Sequence, residues 1–257
     1  MLFRSYSGAW DGTFKLAWTD NPAWVYRDLI LNDRYGLGSV ITSDQVDKWG
    51  LYQIAGYCDE RVSNGKGGLE PRFSTNLYLQ SRANALTVLQ DMASVFRGMS
   101  YYAASEVMVS ADMPSDPVYT YTNGNVIGGK FSRAGSSGST RFSVCKVSWS
   151  DRENFGATKV EYVQDQRSIA RYGIRETEVT AFACVSQGQA QRMGHYILLT
   201  NQLETDTISF SVGLDGTLAR PGQLIRVSDE HYVGKPMAGR IKRSEERRVG
   251  KECMESV

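Results

Sequence analysis

Apolar residues recur at helical spacing in three places within the first hundred positions. The first is NPAWVYRDLILNDRYGLG, residues 21–38. Asn21 suits an N-cap, Pro22 the first helical position, and Gly36 with Gly38 the exit, which predicts a helix from about residue 22 to 32. On a helical wheel Trp24 and Leu31 share one side, Val25 and Leu29 a second, and Tyr26 and Ile30 a third. A surface helix carries one apolar stripe, so this one is sandwiched between elements or lies in an interface. Trp24, Tyr26, Leu29 and Ile30 are its candidate packing or interface residues. A second helix fits TSDQVDKWGLYQIAGYCDERV, capped by Ser43 or Thr42, with Val46, Ile54, Tyr57 and Cys58 along one broad face. The third, SRANALTVLQDMASVFRG, places Leu86, Leu89, Met92, Val95 and Phe96 on one half of the wheel. Ser81 can cap its start and Gly98 end it. Between them RFSTNLYLQ, with Phe73, Leu77 and Leu79, reads as an irregular strand, and SYYAA with EVMVSAD as a hairpin.

The texture changes at MPSDPVYTYTNGNVIGGKFSRAGSSGS, rich in Pro, Gly and Ser, which predicts a module boundary near 115–140. Beyond it TRFSVCKVSWSD and ATKVEYVQD alternate as strands around a turn at RENFG, and ETEVTAFAC is another strand. Ser186 is positioned to cap a helix over QGQAQRMGHYILLTNQL, with Ala190, Met193 and Ile197 inward and Gly194 permitting close approach. TDTISFSVG, a turn at LDGT, and GQLIRVSD complete a β-rich section. The expected fold class is α+β. A helix-containing α/β module over 1–125 precedes a β-rich, partial-barrel or sandwich-like module with one packed helix over 126–243. Residues 244–257 are half charged and carry no apolar period. RSEERRVGKEC resembles a translated adaptor or assembly scar, so this tail is expected to be non-native or disordered.

Composition narrows the class. The chain has 257 residues, 41% hydrophobic and 22% charged, with a formal net charge of +1. That balance supports a packed core and supplies no field drawing the chain to nucleic acid or an anionic membrane. No apolar run approaches the ~18 residues of a membrane helix, and MLFRSYSGAW lacks the apolar stretch of a signal peptide. Four scattered cysteines without a CxxC pair read as buried thiols. Fourteen tyrosines and five tryptophans fit strands, half-buried surfaces and interfaces.

A search for chemistry finds little. There is no GxSxG elbow, and the two histidines are His195, inside a predicted helix, and His231, in SDEHY beside Asp229 and Glu230. That cluster is compatible with a cation but also ordinary for a turn between strands. Cysteine and histidine spacing excludes a zinc finger, NGKGG lacks the context of a phosphate loop, and Asp59 with Glu60 suits a charged helix end. No cofactor is implied.

The segments YSGAWDGTFK, NPAWVYRDLILNDRYGLG, VDKWGLYQIAGYCDE, EPRFSTNLYL and YTYTNGNVI, in that order, resemble the central region of the tip attachment, or host specificity, proteins of lambda-like phage tails. The likeness continues through IARYG, AFACVSQGQAQRMGHYIL, LETDTISFSVG and PGQLIRVSD, and covers about Tyr6 to Arg240. It implies a fragment of a longer virion protein, made in the host cytoplasm, that forms a trimeric hub at the tail tip. Its partners would be its own copies and other tail-tip proteins. A host outer-membrane receptor would be met only through a downstream region absent here. The resemblance carries no catalytic residues. A tail-associated cell-wall hydrolase would instead gather acids with His195 or His231 in one pocket. A carbohydrate- or receptor-binding module would present Trp and Tyr faces.

Overall fold

The computed structural model describes residues 10–14, 17–79, 84–103, 105–230 and 236–242. The expected Ser81 cap, His231 and the 244–257 tail lie outside them. In chain order the elements are α1 (Pro22–Leu31), α2 (Lys48–Asp59), β1 (Arg61–Ser63), β2 (Leu69–Pro71), α3 (Ala85–Val95), β3 (Gly98–Ala103), β4 (Glu106–Ala111), β5 (Tyr119–Thr122) and β6 (Ser132–Gly135). Then follow β7 (Val144–Asp151), β8 (Ala157–Gln164), α4 (Gln166–Tyr172), β9 (Glu176–Thr180), α5 (Gln187–Leu203), β10 (Asp206–Ser209), β11 (Leu224–Ser228) and β12 (Met237–Arg240). The fold is α+β, with five small sheets of two or three strands and no closed barrel among the described residues. Two compact units interleave along the sequence: Met1–Met113 with Ser132–Ser209, and Pro114–Phe131 with Phe210–Val257.

Two clusters form the core of the larger unit. In the first, α1, α2 and α3 pack with the antiparallel β3–β4 hairpin around Trp24, Tyr26, Ile54, Met92 and Phe96. Asn21 starts α1 as the sequence predicts: its Oδ1 accepts from Ala23 N at 3.0 Å while its Nδ2 donates to Ala55 O at 2.9 Å. One buried side chain thus caps one helix and ties it to the next. The exit is equally tight, because a Cβ on Gly36 would lie 2.2 Å from Leu29 O. In the second cluster α5 lies on a sheet of order β8-β7-β9, with β8 antiparallel and β9 parallel to β7. Cys145, Val147, Trp149, Val163, Ala190 and Leu198 fill the space between. In the smaller unit β11 pairs parallel with β5 and antiparallel with β12, and Phe210 packs tilted against Tyr121 and edge-on to Phe131 at ring separations of 4.9 and 5.3 Å.

Several expectations need correction. Thr42 and Gln45 close a one-turn 3-10 helix of their own, Val46 is extended and bridges Val107, and α2 restarts at Asp47, which caps Trp49 N and Gly50 N. Helix α3 is capped by Asn84 and stops at Val95; Gly98 already belongs to β3. Residues 73–79 form no strand. Their amides go to four different partners: Phe73 N to Cys58 O, Ser74 N to Gln189 Oε1, Thr75 N to Asp20 O and Asn76 N to Ala183 O. The apolar alternation there reflects a chain threading between other segments, two in helices and two in loops, each satisfying one amide. Helix α4 was not anticipated; Asp165 caps it by accepting from Ser168 N.

The close approach expected at Gly194 is present, since a Cβ there would sit 2.6 Å from Val163 Cγ2. Gly194→Ala is expected to destabilise the protein by about 1–3 kcal/mol through overpacking. Gly56→Ala, in α2 with open space around it, is expected to stabilise by up to ~1 kcal/mol. Urea unfolding of both variants checks the pair.

Candidate functional site

Helix α5 gathers a dense set of polar side chains in the larger unit. Ser186 Oγ accepts from Gln189 N at its first turn and donates to Glu70 Oε2 at 2.6 Å. Two turns on, Arg192 Nη1 donates to Glu70 Oε1 at 2.6 Å and to Ser63 O at 3.1 Å, and Nη2 donates to Arg72 O at 3.0 Å. Gly188 lets these groups close up, because a Cβ there would stand 2.4 Å from Glu70 Oε1. The guanidinium fork therefore binds a carboxylate and the carbonyls of the β1–β2 region together.

Beside this seam stands Arg97, in the left-handed region at φ 56° between α3 and β3. Its guanidinium lies 3.8 Å from the Tyr196 ring centre and 5.3 Å from that of Phe73, and Nη2 donates to Arg192 O at 3.3 Å. Tyr196 in turn donates its hydroxyl to Asp112 Oδ2 at 2.6 Å. Burial pulls Arg97 below its ordinary range, with Tyr196, Tyr57 and Asp112 opposing the shift. Burial and the bond to Asp112 both push the Tyr196 phenol upward. Arg97, Tyr196 and Phe73 border a cavity of about 260 Å³, whose walls also include Cys184, Gln189, Met193 and Ile197. The Cys184 thiol donates to Ser186 O and is pushed up to about 11, chiefly by burial, so it stays protonated and is no nucleophile at neutral pH.

Residues singled out from the sequence lie elsewhere. Trp24, Tyr26 and Ile30 are at most 1% exposed, so their own chain meets every side of them. Trp24 packs edge-on to Trp10 and Phe14, and the Tyr26 hydroxyl pairs with Ser100 Oγ at 2.5 Å. Leu29 is half-buried against the same cluster. His195 is exposed on α5, Asp229 and Glu230 belong to the smaller unit, and none of them lines the cavity. Among the described residues no group of three or more metal-ligating side chains gathers. The outward aromatic residues are others, among them Phe155, fully exposed at the β7–β8 turn with φ 51°, Tyr78, Trp18, Trp49 and Tyr162. Position in a turn was the available signal for Phe155, whereas Arg97 and Gln189 carry no sequence signal at all.

Two outcomes follow from this geometry. Arg192→Met is expected to cost about 2–3 kcal/mol in chemical denaturation, below a sealed ion pair because the Arg192 and Glu70 side chains retain 23% and 20% exposure. Iodoacetamide at pH 8, read by peptide mapping, is expected to spare the buried Cys58, Cys145 and Cys184 until the protein is unfolded.

Comparison with known proteins agrees with this site-poor, packing-rich picture. Residues 84–244 match the Phage-tail_3 family, described as "Putative phage tail protein". The chain is 40% identical over 228 residues to tip attachment protein J of Escherichia phage SECphi27, covering 89% of this chain and 19% of that protein. It is 39% identical over 232 residues to tip attachment protein J of Escherichia phage SECphi4, covering 90% of this chain and 20% of that protein. The chain thus spans about a fifth of the length of these relatives. A family match across well over half of its residues means that the chain belongs to the Phage-tail_3 family of phage tail proteins.

Proposed function

We propose that this chain is a structural segment of a phage tail tip and works by assembly rather than catalysis. The observation that carries the reading is identity near 40% sustained across nine-tenths of the chain to two proteins named for tip attachment. The segment builds part of the hub, packing against copies of itself in a trimer of the longer protein and against other tail-tip proteins. Receptor contact falls to another part of that longer protein. The sites Trp24, Tyr26 and Ile30 serve the segment's own core, and the contacts between molecules fall to outward residues such as Phe155 and Tyr78. Large exposed aromatic side chains support this, because aromatic residues are enriched in interfaces. No described helix is long and apolar enough to cross a membrane, which fits a virion component made in the host cytoplasm.

Antibodies raised against the chain test the reading on purified particles of the phage that encodes it. Gold label is expected at the distal end of the tail, with mass spectrometry giving three copies per tail. Label on the capsid, or absence of the protein from purified particles, overturns the tail-tip role. Peptidoglycan turbidity is expected to stay unchanged on adding the chain; clearing would restore the hydrolase.

A further inference from the structure

The cavity beneath α5 is bordered by two donor groups, Gln189 and Arg97, with hydrogen-bonding capacity to spare. Gln189 is 6% exposed, and its Oε1 accepts from Ser74 N at 3.0 Å, which fixes the orientation of the amide. Its Nε2 therefore points away from Ser74, meets no acceptor, and belongs to a side chain that lines the cavity. Arg97 lines the same cavity, donates to a single carbonyl, and makes no ion pair with any described residue. Asp112, the acid whose charge acts on it, is engaged with the Tyr196 hydroxyl instead.

Other polar walls are spoken for. Ser94 Oγ donates to Asp91 O, and the Cys184 thiol donates to Ser186 O. The remaining surface is apolar: Phe73, Val95, Phe182, Met193 and Ile197. Gln189 Nε2 thus borders the cavity without an acceptor among the described residues, beside a cation whose acidic neighbour, Asp112, is bonded to Tyr196. Water can pair with these two donors but leaves the largely apolar remainder of the walls without a matching partner. Phosphate also fits badly. It carries more charge and more acceptor oxygens than one guanidinium and one amide can serve. A planar carboxylate offers two oxygens, matching the two donor groups, and a hydrocarbon body matches the rest.

We propose that this cavity binds a small apolar carboxylate, held by Arg97 and Gln189 Nε2, with its hydrocarbon part against Phe73, Met193 and Ile197. The volume of about 260 Å³ lies just below the usual ~300–1,000 Å³ of small-molecule sites, so the ligand is no larger than an arylalkanoate or one terminal residue of a peptide. The site is independent of the tail-tip reading, which requires no ligand.

Titration of the ¹⁵N-labelled full chain with 3-phenylpropionate tests this, with 3-phenylpropanamide as the neutral match. The acid is expected to shift the Gln189 side-chain amide and Arg97 Nε–H signals saturably, and the amide to bind at least about tenfold more weakly. Arg97→Gln is expected to lower acid affinity about tenfold and leave the amide's unchanged. A peptide ending in Phe, with free or amidated C-terminus, separates the two sources of the group: preference for the free-ended peptide over 3-phenylpropionate assigns the site to a chain terminus, the reverse to a free acid. Equal binding of acid and amide, no saturable shift up to about 10 mM, or unchanged acid affinity in folded Arg97→Gln overturns the proposal. Should Arg97→Gln fail to fold, the contrast between acid and amide on the unsubstituted chain decides alone.

Discussion

Helix α5 has to satisfy two unlike surfaces at once, and the larger unit is organised around that constraint. One side is apolar and meets β7 and β8 so closely that Gly194 has no room for a Cβ. The other presents Ser186, Gln189, Arg192 and Tyr196 to the region between α2 and β4. Polar groups withdrawn from water must be matched one by one. Each therefore fixes a particular stretch of chain: Glu70, Ser74, the carbonyls of residues 63 and 72, and Asp112. The apolar side packs on the sheet, and the polar side determines which neighbours can join it.

This division explains why the polar machinery of the unit does not read as an enzyme. Arg97 aside, Ser186, Arg192 and Tyr196 are engaged in holding helix and strands together, and the Cys184 thiol is kept protonated. The proposed role in tail-tip assembly asks for a folded body with selected apolar side chains outside. The chain supplies this by burying Trp24 and Tyr26 completely while holding Phe155 fully in solvent. An aromatic ring kept outward on a turn in the left-handed region gains nothing for its own fold.

What the sequence made legible were features decided locally. Asn21, Pro22 and Ser186 set helix starts because a cap needs only its own next few amides. The β7–β8 pairing and the β3–β4 hairpin followed from alternation and short turns. Misreadings arose where a distant partner overrode the local pattern. Val46 is drawn out to bridge Val107, which delays α2, and residues 73–76 give their amides to four separate parts of the chain. The cavity donors were invisible for the same reason: whether Gln189 Nε2 finds an acceptor depends on residues far away in the chain.

The order of strands in the smaller unit bears on how the chain is made. β5 (Tyr119–Thr122) pairs directly with β11 (Leu224–Ser228), and everything between β6 and β10 belongs to the other unit. During synthesis β5 therefore waits for roughly a hundred residues before its partner exists, several seconds at ~5–20 residues per second. Closing so long a loop is slow, and until then the YTYT edge stands open to any other nascent chain. A polysome carrying many copies would bring such edges together, which makes the growing chain itself the stage at which mispairing between copies is hardest to avoid.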